Sequence, residues 1–201
     1  MTRTIAVVDY GSGNLHSVSR AIERVGGRAL VTRDAGEIAG ADALVIPGVG
    51  HFGACMRAIC HHGMDRSIRD FRSSGRPVFG VCVGMQVLFE ASDEDPEPGL
   101  GVLRGTVERL PEDVKVPHMG WNTITWTARH PYVEGLPDGA RFYFVHSFAP
   151  AITDATVGTT THGRAFAGAV ADENVFATQF HPEKSGDAGL HLYERFVGSL
   201  A

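Results

Sequence analysis

Arg76-Pro77-Val78-Phe79-Gly80-Val81-Cys82-Val83-Gly84-Met85-Gln86 is the stretch whose reading decides the fold. Arg76 to Val81 is short, apolar and opened by proline, which suits a buried parallel strand, and Val83 to Glu90 continues in residues suited to a helix. Cys82 then falls on the turn between them. Gly80 and Gly84, two residues to either side, omit side chains where a sharp turn needs unusual dihedrals and where a substrate must approach the backbone. This is a cysteine form of the nucleophile elbow. A thiol in the first turn of a helix meets the positive end of the macrodipole, which favours thiolate, and the Val83 N–H is aimed at an oxyanion. The same letters also fit a tight strand-helix junction around an inert buried thiol.

Toward the amino terminus, Ile5 to Val8 is a β-branched run that ends in Asp9 and the glycine-punctuated loop Tyr10-Gly11-Ser12-Gly13-Asn14. A helix follows, its apolar face formed by Leu15, Val18, Ile22 and Val25. Arg28 to Val31 and Ala43 to Ile46 are further strands, the second running into Pro47-Gly48-Val49-Gly50. Ligands bind at the carboxyl ends of strands in open parallel sheets, so the amides of this loop are placed to face a substrate anion, although a plain turn has the same letters. Phe52 to His62 reads as a helix. His51 and Cys55 have chelating i, i+4 spacing, but no second pair completes a tetrahedral set, so neither a metal nor a cofactor is expected. Ile68 to Arg72 is helical and ends in Ser73-Ser74-Gly75.

Downstream, the acidic, proline-bearing Ser92 to Pro98 reads as a solvated loop. Thr106 to Leu110, Asn122 to Trp126, Arg141 to Phe148, Ala165 to Val170 and Val175 to Phe180 read as strands. Between the first two of these, Pro117-His118-Met119-Gly120-Trp121 shows no clear periodicity and fits a contact surface as well as a core. A last helix is expected from about Gly189 to Gly198, with Leu190, Tyr193 and Val197 on one face. The fold class is α/β: a mostly parallel, flavodoxin-like central sheet flanked by helices, with a strand-rich region in the second half, all in one domain over residues 1–201.

With 43% hydrophobic residues among 201, the chain can fill one core but hardly two. A formal charge of −5 with scattered Lys and Arg offers no face for nucleic acid. No apolar window approaches a membrane span, and the first apolar run is too short for a signal-peptide core. Three cysteines without framework spacing fit a reducing compartment, so a cytoplasmic protein is expected.

Far from Cys82, Phe180-His181-Pro182-Glu183-Lys184-Ser185 follows the strand that opens at Val175. Extended backbone puts residues i and i+2 on one side, and Pro182 is compatible with extension, so His181 and Glu183 are expected side by side. The carboxylate then accepts from one imidazole nitrogen and leaves the other to take a thiol proton. A surface histidine and a solvated carboxylate are the plainer alternatives, but they leave the pairing with a glycine-flanked cysteine unexplained.

The two motifs, Gly80 to Gln86 and Gln179-Phe180-His181-Pro182-Glu183-Lys184-Ser185, resemble those of the class I glutamine amidotransferases, whose Cys, His and Glu triad releases ammonia from glutamine. Asp9 to Leu15, Pro47 to Gly50, Val116 to Asn122 and Tyr143-Phe144-Val145-His146-Ser147 are similar to one branch of that family, the glutaminase subunits of imidazole glycerol phosphate synthase. Met85 points the same way, since relatives serving anthranilate or GMP synthesis usually have His there. The resemblance extends from Asp9 to the last helix.

The resemblance implies that Cys82 attacks the glutamine amide, His181 shuttles the proton and Glu183 orients His181. It implies an oxyanion hole of Val83 with Val49 and Gly50, and a glutamine pocket of Gln86, Glu94, Ser147 and Phe148. Glu94 thereby moves from solvated loop to ligand. It further implies transfer of ammonia to a separate (βα)₈ cyclase subunit, which this chain is too short to contain, with Asn14, Pro117, His118, Met119 and Trp121 facing that partner. In the family, ligand binding at the synthase releases a restraint on the glutaminase. Three positions depart from the pattern: His51 where a small residue is common, Val83 for Leu and Phe148 for Tyr. Competing expectations are a glutaminase subunit of another synthase such as anthranilate synthase, an inactive interaction subunit, and a cysteine hydrolase of peptides or esters.

Overall fold

The computed structural model describes residues 2–200. The first half alternates strand and helix: β1 (Thr4–Val8), α1 (Leu15–Arg24), β2 (Arg28–Thr32), α2 (Ala35–Gly40), β3 (Ala43–Gly48), α3 (Phe52–His61), α4 (Met64–Ser73), β4 (Val78–Cys82) and α5 (Val83–Gln86). The second half is mostly strand: β5 (Ala91–Ser92), β6 (Thr106–Arg109), β7 (His118–Thr123), β8 (Thr125–Trp126), β9 (Arg141–His146), β10 (Phe148–Pro150), β11 (Thr156–His162), β12 (Arg164–Asp172) and β13 (Val175–Thr178), closed by α6 (Gly186–Gly198).

The main sheet has the order β2-β1-β3-β4-β13-β12-β11-β8. Its first five strands run parallel in the flavodoxin-like order, and the last three extend it antiparallel. The central strands β3, β4 and β13 are buried at every residue, which is why they read as unbroken apolar runs. Helix α6 covers one face with Tyr193 and Phe196, whose rings lie 5.5 and 5.3 Å from Phe79 of β4. Small sheets β10-β6-β5 and β7-β9 complete the strand-rich region.

Register places the site. Gly48 at the end of β3 pairs with Cys82 at the end of β4, and Val81 pairs with Thr178 at the end of β13. The loop that begins in β3 therefore flanks Cys82 on one side, and the segment leading to His181 flanks it on the other.

Several elements differ from expectation. Helix α5 stops at Gln86 instead of reaching Glu90: the Leu88 and Phe89 N–H groups bond only three residues back, to Met85 and Gln86, the Glu90 N–H goes to the Gly105 carbonyl, and residues 100–103 take the carbonyls of Val87, Leu88 and Phe89. A helix this short carries little of the macrodipole invoked for the thiol. Helix α6 starts at Gly186, and its buried face is Gly189, Leu192, Tyr193 and Phe196, with Leu190 and Val197 only half-buried. Gly63, at φ +66°, separates α3 from α4. The strand expected over Arg141 to Phe148 breaks at Ser147, after which β10 joins a different sheet. Three elements went unanticipated: α2, whose N-cap Asp34 accepts the Glu37 N–H at 2.9 Å, the two-residue β5 and the threonine-rich β11, and the strand expected over Asn122 to Trp126 divides at Ile124 between β7 and β8, which join different sheets.

A Cβ on Gly84 would overlap the Ile46 carbonyl, since β3 and the elbow pack backbone to backbone. Gly84→Ala is expected to lower the free energy of unfolding by about 3 kcal/mol or more in urea titration. Gly40→Ala, on a helix with open space around it, is expected to shift it by less than about 1 kcal/mol, toward stability.

Candidate active site

Cys82 has φ 55° and ψ −113°, a conformation that non-glycine residues rarely adopt and that the surrounding backbone enforces. Its thiol opens on a cavity of about 270 Å³ lined by Val49, Gly50, Val83, Gln86, Glu94, Ser147, Phe148 and His181, together with Pro117, Val145 and His146. Every residue expected in the catalytic, oxyanion and glutamine sets borders this cavity except Glu183, which stands behind His181.

His181 is held by its own backbone, its N–H on the Tyr143 carbonyl at 2.9 Å and its carbonyl accepting from Ser185 Oγ at 2.6 Å. The backbone after it is not extended as expected. Pro182 opens a single 3₁₀ turn, Pro182–Lys184, which still returns Glu183 Oε1 to 2.8 Å from His181 Nδ1. A carboxylate only accepts, so Nδ1 carries the hydrogen and Nε2 is left without a partner. Burial pulls the His181 pKa down, but the adjoining Cys82 and Glu183 outweigh it and raise it to about 10. The ring therefore favours the imidazolium form at neutral pH.

The Gly50 backbone N–H is taken by no acceptor among the described residues, and the Val49 and Val83 amides lie just past the ends of β3 and β4, where Gly48 pairs with Cys82. The loop carrying the first two is tied from below: Tyr10 donates its hydroxyl to the Pro47 carbonyl at 2.5 Å and Ser12 to the Val49 carbonyl at 2.6 Å. A trans peptide sets the Gly50 N–H opposite that Val49 carbonyl, away from Ser12. Glu94 Oε2 accepts the Phe52 N–H at 2.8 Å and so borders the cavity while anchoring the start of α3. His51 turns toward Asp95 and Cys55 toward Ser12 and Val49, so the chelating spacing of the pair is not used.

The residues expected to face a partner divide. Met119 and Trp121 are 63% and 50% exposed, and Pro117 is exposed beside them. His118, by contrast, is buried: β7 is a strand, alternation turns its side chain inward, and its ring stacks on His162 with centroids 4.2 Å apart. Asn14 directs its amide to Glu183 Oε1 at 3.2 Å. Two further residues were given no role from sequence. Gln179 Nε2 donates to Cys82 Sγ at 3.7 Å, and His146 borders the cavity with Nδ1 2.9 Å from the Phe148 carbonyl. Both lie inside quoted motifs, but only a fold shows that they point at the thiol and its pocket.

A cysteine on an elbow, an imidazole paired with a carboxylate and a loop with a free Gly50 amide around one cavity define a cysteine-dependent acyl-transfer site on a flavodoxin-like sheet. The family model for class I glutamine amidotransferases matches residues 6–198, and the chain belongs to that family. Within it, the chain is 45% identical over 195 residues to the imidazole glycerol phosphate synthase subunit HisH of Dehalococcoides mccartyi (strain CBDB1), covering 96% of this chain and 95% of that one. It is 44% identical to the HisH subunit of Thermobifida fusca (strain YX), with both chains fully covered. Among solved structures, the fold matches a glutamine amidotransferase with a TM-score of 0.72 at 25% identity, over 96% of this chain and 98% of that one. It also matches PurLQS of Thermotoga maritima with a TM-score of 0.75 at 19% identity, over the full length of both chains.

Burial lowers the pKa of His118 to about 4, helped by His162, and that of His146 to about 3, helped by His118. A depressed folded pKa means that the unfolded chain binds protons first. Stability is therefore full above about pH 6.5 and falls as pH drops toward the folded values. The melting temperature is expected to fall between about pH 6.5 and 5, where carboxylates remain ionised, and less steeply in a His118→Phe, His146→Phe double variant.

Proposed function

We infer that this chain is the glutaminase subunit of imidazole glycerol phosphate synthase, hydrolysing glutamine to glutamate and ammonia for a separate (βα)₈ cyclase subunit. The observation that carries this reading is that Cys82 and His181 share one cavity while Glu183 sits 2.8 Å from the far nitrogen of His181. The identity of 44–45% to HisH subunits supports the choice of branch.

Cys82 Sγ, its proton passed to His181 Nε2, attacks the side-chain amide carbon of glutamine, and the N–H groups of Val83 and of Val49 or Gly50 receive the oxyanion. His181, as imidazolium, gives its Nε2 proton to the departing nitrogen, which leaves as ammonia with the glutamyl thioester on Cys82. Neutral His181 then takes a proton from water, hydroxide cleaves the thioester, and glutamate leaves as the thiol is restored. Glu183 fixes the tautomer and offsets the charge of the ring throughout. Gln86 has both amide hydrogens engaged, so its Oε1 is the atom that receives the substrate, while Glu94 meets the α-ammonium group. Met119 and Trp121, with Pro117, are the surface that the cyclase covers.

Cys82→Ala is expected to abolish glutamate release and glutamine-dependent synthesis in the mixture with the cyclase and its ribonucleotide, while synthesis from added ammonia continues. Loss of both would give the thiol a structural role instead. Glu183→Gln is expected to lower kcat on the order of a hundredfold or more with the cavity intact. Trp121→Ala is expected to weaken cyclase binding on the order of tenfold or more in titration calorimetry, with unchanged melting of the free chain.

A further inference from the structure

A run of neutral side chains leads from strand β7 to the thiol, and its partners fix the position of every proton. The Thr123 N–H donates to Asn122 Oδ1 at 2.8 Å, which identifies the oxygen of that amide. Asn122 Nδ2 then has one hydrogen for the Thr161 carbonyl at 3.0 Å and another for His118 Nε2 at 3.1 Å. His118 Nε2 is therefore an acceptor, and its hydrogen is on Nδ1, 2.9 Å from His146 Nε2. From the opposite end, the Phe148 carbonyl only accepts, so His146 Nδ1 carries the hydrogen and Nε2 accepts from His118. The two ends assign one direction independently. A second proton on His146 would set N–H against N–H, so the arrangement requires neutral rings.

The run continues past Phe148. Its carbonyl also accepts from Gln86 Nε2 at 2.9 Å, the other hydrogen of that amide goes to Gln179 Oε1 at 3.0 Å, and Gln179 Nε2 reaches Cys82 Sγ. Met119 and Trp121 point outward from the same strand that sends His118 inward. Hydrogen bonds weaken steeply as their angles open, so a shift of β7 is felt at each joint.

We propose that Asn122, His118, His146, Gln86 and Gln179, joined through the Phe148 carbonyl to which His146 and Gln86 both donate, form one hydrogen-bond relay that positions the Cys82 thiol from the exposed strand β7, with both histidines held as Nδ1–H tautomers. The relay rests on the assignment of Cys82 as nucleophile of a glutaminase. His118, His146 and Gln179 are positioning residues in it.

The first test is a long-range proton-nitrogen correlation spectrum of the full chain labelled with ¹⁵N histidine. Both rings are expected to carry hydrogen on Nδ1 with Nε2 bare from roughly pH 5.5 to 8. An Nε2–H tautomer at either ring overturns the relay. The second is the rate at which iodoacetamide alkylates Cys82 at neutral pH, read from the mass of the Cys82 peptide so that exposed Cys60 is counted apart. His118→Phe keeps a ring against Phe144 and His162 but has no N–H, whereas His118→Asn loses the stack and keeps an N–H near the Nδ1 position. The relay predicts a rate about three- to tenfold lower for Phe and for Gln179→Leu, and a return to within about twofold for Asn. The reverse order for the two His118 variants is the result of a packing role and overturns the relay. Neither readout uses glutamine or a partner, so absence of glutamate release would count against the glutaminase reading and leave this test standing.

Discussion

The contact between Gly84 and the Ile46 carbonyl is the constraint on which the rest of the site depends. It lets the elbow press against β3 with no side chain between them, and so brings the Gly48–Gly50 loop alongside Cys82. Gly48 contributes from the other side, because a Cβ there would meet the Gly84 and Val83 backbone and the Tyr10 hydroxyl. The strained dihedrals of Cys82 follow from the same packing: the chain must leave β4 and turn at once. The strain is sustained by the fully buried strands on either side, not by the four-residue helix that follows.

Electrostatics in the site rest on burial. His181 and Glu183 have side chains 1% and 0% exposed, so the charge on one is compensated by the other with little help from solvent. The raised pKa of His181 and the lowered pKa values of His118 and His146 arise in one region from different neighbours. Burial lowers all three, but His181 has Glu183 and Cys82 beside it to outweigh that, whereas the other two have a carbonyl, an amide, His162 and each other. Histidines with the same reference pKa are thereby separated into a proton carrier and two fixed neutral links.

Much of this was legible in the sequence, because it depends on local period and spacing. The apolar runs of β1, β3 and β4 and the glycines around Cys82 name the sheet and the elbow, and the His-x-Glu spacing names the pair even though the intervening backbone proved to be a 3₁₀ turn. What could not be read depends on distant chain. Nothing in Val87-Leu88-Phe89-Glu90 says that the Glu90 N–H will leave the helix for Gly105 or that residues 100–103 will take the three carbonyls before it. The inward turn of His118 is set by pairing with β9, and the role of Gln179 by the closeness of β13 to β4. Asp34 and Glu37 have the spacing of a helix N-cap, a signal that went unread because a helix of six residues is too short to show a period.

Strand β13 lies between β4 and β12, yet it is the last strand in the chain. During synthesis the elbow emerges long before the strand that must slide in beside it, and domains built from distant pairings close late. Until that insertion, Cys82 has neither imidazole nor carboxylate beside it. The order of the strands thus ties the site to the far end of the sequence: the thiol gains its imidazole and carboxylate only when the last strand is in place beside β4.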